Sequence, residues 1–316
     1  MTPIGRSSAK RGASCCAWSA RDLRGTRAID LSRHLRFGLG VSKHPTGKVS
    51  IEPGYENPTW LTETRALRPE TEDAHYARFG NSHNIAINED TGFAYAVGSD
   101  TCRGGLHMID IRNPKSPAFA GCFSEDGYTH DTQSVVYSGP DERFTDREIC
   151  FSSNEDTLTI VDVTDKAAPT MLSRTPYEGS AYTHQGWLTE DQRHFLLNDE
   201  LDEQQSGVPT STYIFAVADL RAPKLIGVYR AAVAAIDHNL YTKGDRVYEA
   251  NYRSGLRVLD STRVAEGELE EVAFFDVYPE DDEAEFNGAW SVYPYFESGI
   301  VIVSGIKQGL FVLRPD

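Results

Sequence analysis

A chain of 316 residues with 47 Asp and Glu against 31 Lys and Arg carries a formal charge of −16, an acidic balance that disfavours nucleic acid as a partner. The length suffices for a substantial core, and no stretch approaches the roughly 20 apolar residues of a membrane span. The charge is uneven, because residues 1–50 hold ten Lys or Arg and only two Asp, a balance of +8 that leaves −24 for the remainder.

Residues 1–50 show little strand periodicity, and only TRAIDLSRHLR (26–36) has the pattern of the end of a repeat. The segment is Arg- and Ser-rich like a transit peptide, yet MTPIGRSSAKRGASCCAW has no continuous apolar stretch of the kind a secretory signal needs. We read it as an irregular or mis-assigned N-terminal segment and place a repeat domain over 51–316. Cys15 and Cys16 fall in it, lack the CxxC spacing of a zinc site and receive no role.

From residue 83 onward a histidine returns at the same point of an internal repeat, in SHNIAI at His83, THDTQSVVY at His130, THQGWL at His184 and DHNLY at His238. The spacings are 47, 54 and 54 residues, and a fifth copy, NGAWSVY, lacks the histidine. Three further strands recur in each copy. The second is seen in FAYAVGS, REICFSS, HFLLND, RVYEANY and GIVIVSG, and the third in GLHMIDI, TLTIVDV, STYIFAV, GLRVLD and GLFVL. A fourth, such as AFAGCF, LIGVYR or VAFFDVY, follows in several copies after a Pro- or polar-rich turn. Repeats of this length with four strands each predict an all-β fold, a β-propeller of four-stranded blades, with five repeats visible.

Propeller geometry gives the histidines a place. The first strand of each blade lines the central channel, so His83, His130, His184 and His238 converge on the axis. Neutral imidazole is a common ligand of Fe, Cu and Zn, which suggests an axial transition-metal site. Asn84, Asp131, Gln185, Asp237 and Asn239 adjoin the histidines and are candidates for orienting them. The alternatives are a structural polar ring left by duplication and a direct ligand role without metal.

Acidic loops offer a second kind of site. NDELDEQ (198–204) is the strongest, with Asp199, Glu200 and Asp202 as first candidates for calcium; PEDDEAEF and SNEDT are weaker. None has EF-hand spacing, and solvated charge is the competing reading. Cys102 and Cys122 flank the GLHMIDI strand and are placed to form a disulfide if their Cα atoms lie within about 7 Å. Trp187, Trp290, Tyr293 and Tyr295 could line a pocket, but for the two tryptophans packing between blades is the preferred reading.

The motifs NSHNIAINEDTGFAYAVGS, YTHDTQSVVYSGPD, NEDTLTIVDV, YTHQGWLTEDQ, DHNLY and FNGAWSVYPYF resemble the choice-of-anchor B family with its LVIVD-type repeats, over about Thr71 to Pro315. The resemblance implies a surface-associated or secreted propeller, extracellular or in the cell envelope, with seven blades as the family pattern and no established activity to carry over. Against that pattern the expectation is a ring incomplete at its N terminus or one that closes with fewer blades, without an apolar tail after the last repeat; an open ring would expose edge strands and favour homo-oligomers. Relatives tend to carry a cysteine where Ser134 stands, on the strand expected to pair with REICF, so Cys150 is left as a buried apolar residue.

Serine-hydrolase, P-loop, dinucleotide and HExxH motifs are missing, so no catalytic residue is assigned. The leading expectation is a binding module for a protein, glycan or small molecule with a metal ion in a His-lined channel. A metalloenzyme using that centre for oxidative or hydrolytic chemistry, and a purely structural scaffold, are the alternatives.

Overall fold

The computed structural model describes residues 76–315, together with a two-residue ribbon formed by β1 (Ser42–Lys43) and β2 (Val49–Ser50). Most of the N-terminal segment, with Cys15, Cys16 and residues 26–36, lies outside the described residues. From residue 84 the chain builds five antiparallel sheets in sequence order. The first holds β3 (Asn84–Asn88), β4 (Phe93–Val97), β5 (Leu106–Asp110) and β6 (Ala118–Phe123), and the second β7 (Asp131–Val136), β8 (Glu148–Ser153), β9 (Thr157–Asp162) and β10 (Thr170–Pro176). The third holds β11 (Thr183–Leu188), β12 (His194–Asp199), β13 (Ser211–Ala216) and β14 (Lys224–Arg230), and the fourth β15 (Asn239–Lys243), β16 (Arg246–Ala250), β17 (Leu256–Asp260) and β18 (Glu270–Phe275). The fifth has three described strands, β19 (Ala289–Tyr293), β20 (Val301–Gly305) and β21 (Gly309–Leu313). This is the propeller arrangement expected from the repeats.

Strand composition follows position in the blade. Middle strands are covered on both faces by neighbouring blades, so they read as continuous apolar runs rather than alternating ones; every residue of β8, β9 and β12 is buried. Outer strands such as β14 and β18 face solvent and carry exposed residues. Four apolar clusters fill the four seams between successive blades. Tyr95, Leu106 and Met108 meet Cys150 and Val161 in the first seam, and Ile149, Phe151 and Ile160 meet Phe195 and Phe215 in the second. Leu196 and Ile214 meet Leu240 and Val247 in the third, and Leu256 and Val258 meet Val292 and Val301 in the fourth.

Polar ties cross the first three of these seams. Asn84 Nδ2 donates to Asp131 Oδ2 at 2.8 Å, the Leu188 amide donates to Gln133 Oε1 at 2.8 Å, and Gln185 exchanges two bonds with the Leu240 backbone. Asn84, Asp131 and Gln185, expected from the sequence to orient the histidines, instead fasten one inner strand to the next.

Cys102 and Cys122 form a disulfide with Cα atoms 5.6 Å apart. Ser134 lies opposite Cys150 in the β7–β8 register, and Cys150 is fully buried. Trp187 packs edge-on against Tyr241 in the seams on either side of the fourth blade, as its packing reading requires. No described helix is long and apolar enough to cross a membrane.

Each four-stranded blade has a register shift between its third and fourth strands. In two blades it brings a glycine against the next blade's turn: a Cβ on Gly121 would stand 1.7 Å from the Lys166 carbonyl oxygen, and one on Gly227 2.1 Å from the Gly267 carbonyl oxygen. Backbone meets backbone there, so a methyl can be accommodated only by parting the blades. Gly121→Ala is therefore expected to lower unfolding free energy by about 1–3 kcal/mol in urea titrations; an unchanged midpoint would show that this seam yields freely.

Candidate metal centre

The four histidines line one side of the axis as a continuous arc. Ring centroids are 3.9 Å apart for His83 and His130, 4.1 Å for His130 and His184, and 4.3 Å for His184 and His238. Trp290 continues the arc 4.5 Å beyond His238. It sits at the register shift between β19 and β20, as His184 sits at the shift between β11 and β12, and so takes the fifth histidine's place. The packing reading of Trp290 is corrected by this position: it is 36% exposed and beside the axis. Tyr293 and Tyr295 pack against each other, and Tyr295 packs against Tyr241 and joins the cluster between the fourth and fifth blades.

The rings are held by backbone, blade to blade. His130 Nδ1 bonds the carbonyl oxygen of His184 at 3.0 Å, His184 Nδ1 that of His238 at 3.2 Å, and His238 Nδ1 that of Trp290 at 2.5 Å. A carbonyl oxygen can only accept, so Nδ1 carries the proton in all three and Nε2 keeps its lone pair. Asn239 Nδ2 also donates to the Trp290 carbonyl at 3.2 Å.

Burial keeps these imidazoles neutral. It lowers the pKa of His130 and His184 well below 6.5, with the neighbouring imidazoles adding to it, and lowers His238 to about 3. His83, at the exposed end of the arc, is lowered from 6.5 by the same cause.

Glu200, just after β12, closes the arc. Its Oε2 lies 3.6 Å from His184 Nε2 and its Oε1 3.7 Å from His238 Nε2. Tyr252 Oη donates to Oε1 at 2.6 Å from a residue held at φ 33°, an uncommon conformation for a large side chain. Burial, and secondarily the charge of Asp199, push the Glu200 carboxyl up to about 7.

Separations of 3.6–3.7 Å are too long for direct hydrogen bonds. They fit two ligands of one ion: at metal–ligand distances of about 2.1 Å, tetrahedral neighbours stand about 3.4 Å apart. Ligating atoms of His130, His184 and Glu200 all lie within 4.8 Å of one another. The chemistry such a set offers is that of borderline metals, with neutral nitrogen donors and one carboxylate.

The structure does not gather Asp199, Glu200 and Asp202 on one point. The Asp199 carboxylate accepts from Tyr177 Oη and from the Ala181 and Tyr182 amides, which fixes the loop entering β11. Glu200 turns to the axis, and Asp202 turns the other way to meet Glu203 and Asp237. Asp237, a candidate for orienting His238, belongs to this buried group. The other acidic loops are answered by arginine: Asp281 and Glu283 by Arg253, Asp282 by Arg257, and Asp156 by Arg174.

Residues 79–124 and 150–175 match the model of the LVIVD repeat. No curated protein matches the chain. Among solved structures, a protein from Lactobacillus plantarum superposes with a TM-score of 0.53 at 14% identity, over 73% of this chain and 67% of that one. The periplasmic gluconolactonase PpgL of Pseudomonas aeruginosa superposes with a TM-score of 0.51 at 16% identity, over 73% and 69%. At these identities the likeness is one of fold. The chain is thus a β-propeller, and more particularly one that carries LVIVD repeats at residues 79–124 and 150–175.

The lowered histidines set an acid limb in metal-free protein. They bind fewer protons folded than unfolded, so the stability that depends on their neutrality is whole above pH 6.5 and falls as acid is added. Glu200 acts oppositely, with stability present below 4.5 and lost as pH rises through about 7. Urea titrations of chelated protein between these limits should show a shallower acid limb in His184→Gln, and a smaller loss towards neutrality in Glu200→Gln. Superimposable profiles for wild type and both variants would contradict this assignment.

Proposed function

We propose that this LVIVD-repeat propeller is a surface-associated or secreted binding module of the choice-of-anchor B type, with a transition-metal ion at its axis held by His130, His184, His238 and Glu200. The observation that carries the metal reading is the convergence of uncharged Nε2 lone pairs and one carboxylate, with gaps too wide for hydrogen bonds and suited to an ion. His83 is exposed and stands beside His130, with ring centroids 3.9 Å apart, but outside the group of His130, His184 and Glu200. The ion could be Zn, Fe or Cu, and the partner a protein, glycan or small molecule read by the rim. The extracellular or envelope setting rests on the family resemblance and agrees with the Cys102–Cys122 disulfide, which persists in oxidising compartments.

A second reading, a metalloenzyme, is favoured by the exposure of His83 and Trp290 beside otherwise buried histidines. Such access would leave a coordination position for water or substrate, the arrangement of catalytic rather than structural metal. The gluconolactonase likeness lends no substrate to this reading.

Elemental analysis of protein purified without a His tag is the test. One transition-metal ion per chain is expected in wild type and loss of it in His130→Ala/His238→Ala, with far-ultraviolet circular dichroism showing that the blades persist. Freshly isolated and metal-supplemented wild type without metal would end the proposal. If metal is present, azide or cyanide binding to the cobalt- or copper-substituted protein distinguishes an open site from a closed one.

A further inference from the structure

The second carboxylate group has a different character from the axial one. Asp202 and Glu203 lie on the short helical turn after β12, in the third blade, and Asp237 lies on the segment entering β15 in the fourth. Their side chains meet with oxygen atoms within 4.8 Å of one another, and the residues are 1%, 4% and 0% exposed. Each carboxylate has one oxygen engaged: Asp202 Oδ2 accepts from Tyr213 Oη at 2.7 Å, Glu203 Oε1 from the Asp237 amide at 3.2 Å, and Asp237 Oδ2 from the Ser211 amide at 3.4 Å. The other oxygen of each, Asp202 Oδ1, Glu203 Oε2 and Asp237 Oδ1, is buried without a hydrogen-bond partner.

A buried carboxylate with one oxygen left without a donor and no countercharge is costly. None of the three takes part in an ion pair among the described residues, whereas the acidic loops around Asp156 and Asp281 have theirs. Burial first, and neighbouring carboxylates next, raise the pKa of Glu203 and Asp237, and burial raises that of Asp202. Three unpartnered oxygens from three acids, with no nitrogen or sulfur donor among them, suit a hard cation.

We propose that Asp202, Glu203 and Asp237 form a calcium site between the third and fourth blades, separate from the axial centre. Calcium accepts irregular all-oxygen shells of 6–8 ligands, and water can complete a set that begins with three carboxylate oxygens. The ion would clamp the turn after Glu200 to the strand entry that carries His238, since Asp202 follows Glu200 by two residues and Asp237 precedes His238. It would thereby fix the spacing of two axial side chains without touching either.

The test uses full-length protein stripped with a chelator and titrated with calcium chloride, followed by calorimetry and by thermal unfolding. One equivalent of calcium and a rise in Tm are expected, with magnesium much weaker. Binding should weaken by more than about tenfold in Glu203→Gln and in Asp237→Asn, as loss of a charged ligand does, and persist in His130→Ala. Should a variant fail to fold, terbium luminescence excited through tyrosine gives a second readout on wild type; Tyr213→Phe should dim it and calcium should displace it. Folded wild type that takes up no calcium and shows no Tm shift would overturn the site, leaving the acids to be held as protonated carboxyls. Calcium binding lost in His130→Ala, or retained in Asp237→Asn, would overturn it too, whatever metal analysis says of the axis.

Discussion

The axial region depends on one hydrogen bond made three times, from an imidazole Nδ1–H to the carbonyl of the equivalent residue in the following blade. It satisfies the backbone carbonyl of the equivalent residue in the following blade, which in two of the three cases, His184 and Trp290, sits at the register shift where inner and second strands part. It also fixes tautomer and ring orientation, so the lone pairs face inward without help from carboxylate or amide side chains. In many metal sites a neighbouring side chain does that orienting. Here the blade-to-blade packing does it, and the adjoining Asn84, Asp131 and Gln185 are released to tie strands together.

Much of this was legible because repetition carries spatial information. Four histidines at equivalent points of a strand repeat must converge if the repeats are blades, and they do. The continuous apolar runs of the second and third strands likewise announce burial on both faces. Glu200 was harder, because its direction depends on where β12 stops and the chain turns: Asp199 is consumed by the Tyr182 loop, Glu200 points to the axis, and Asp202 points away. Periodicity does not resolve three directions within four residues.

Trp290 was misplaced for a related reason. Its contribution to the arc is a carbonyl oxygen, which leaves no mark in residue type, while its large ring suggests packing. The meeting of Glu203 with Asp237 is invisible for another: the two are 34 positions apart and belong to different blades. A strand register supplies neighbours within a sheet, but the seam between sheets is set by how far each blade rotates against the last. The glycines at Gly121 and Gly227 show how tightly that rotation is constrained.

The relay has a direction. Each donor is a side chain and each acceptor is backbone, always one blade further along the chain, so the series can end on any residue that offers a carbonyl at the right height. Trp290 ends it in that way. A substitution at the accepting end therefore changes the shape and polarity of the channel mouth while the inner imidazoles keep their tautomers. Loss of a donor deeper in the arc, by contrast, strands the carbonyl it served and frees its ring to turn. The arc thus combines an interior whose tautomers are fixed by backbone with a terminal position that needs to supply only a carbonyl, an asymmetry that lets the side chain at the end of the series change without disturbing the rings behind it.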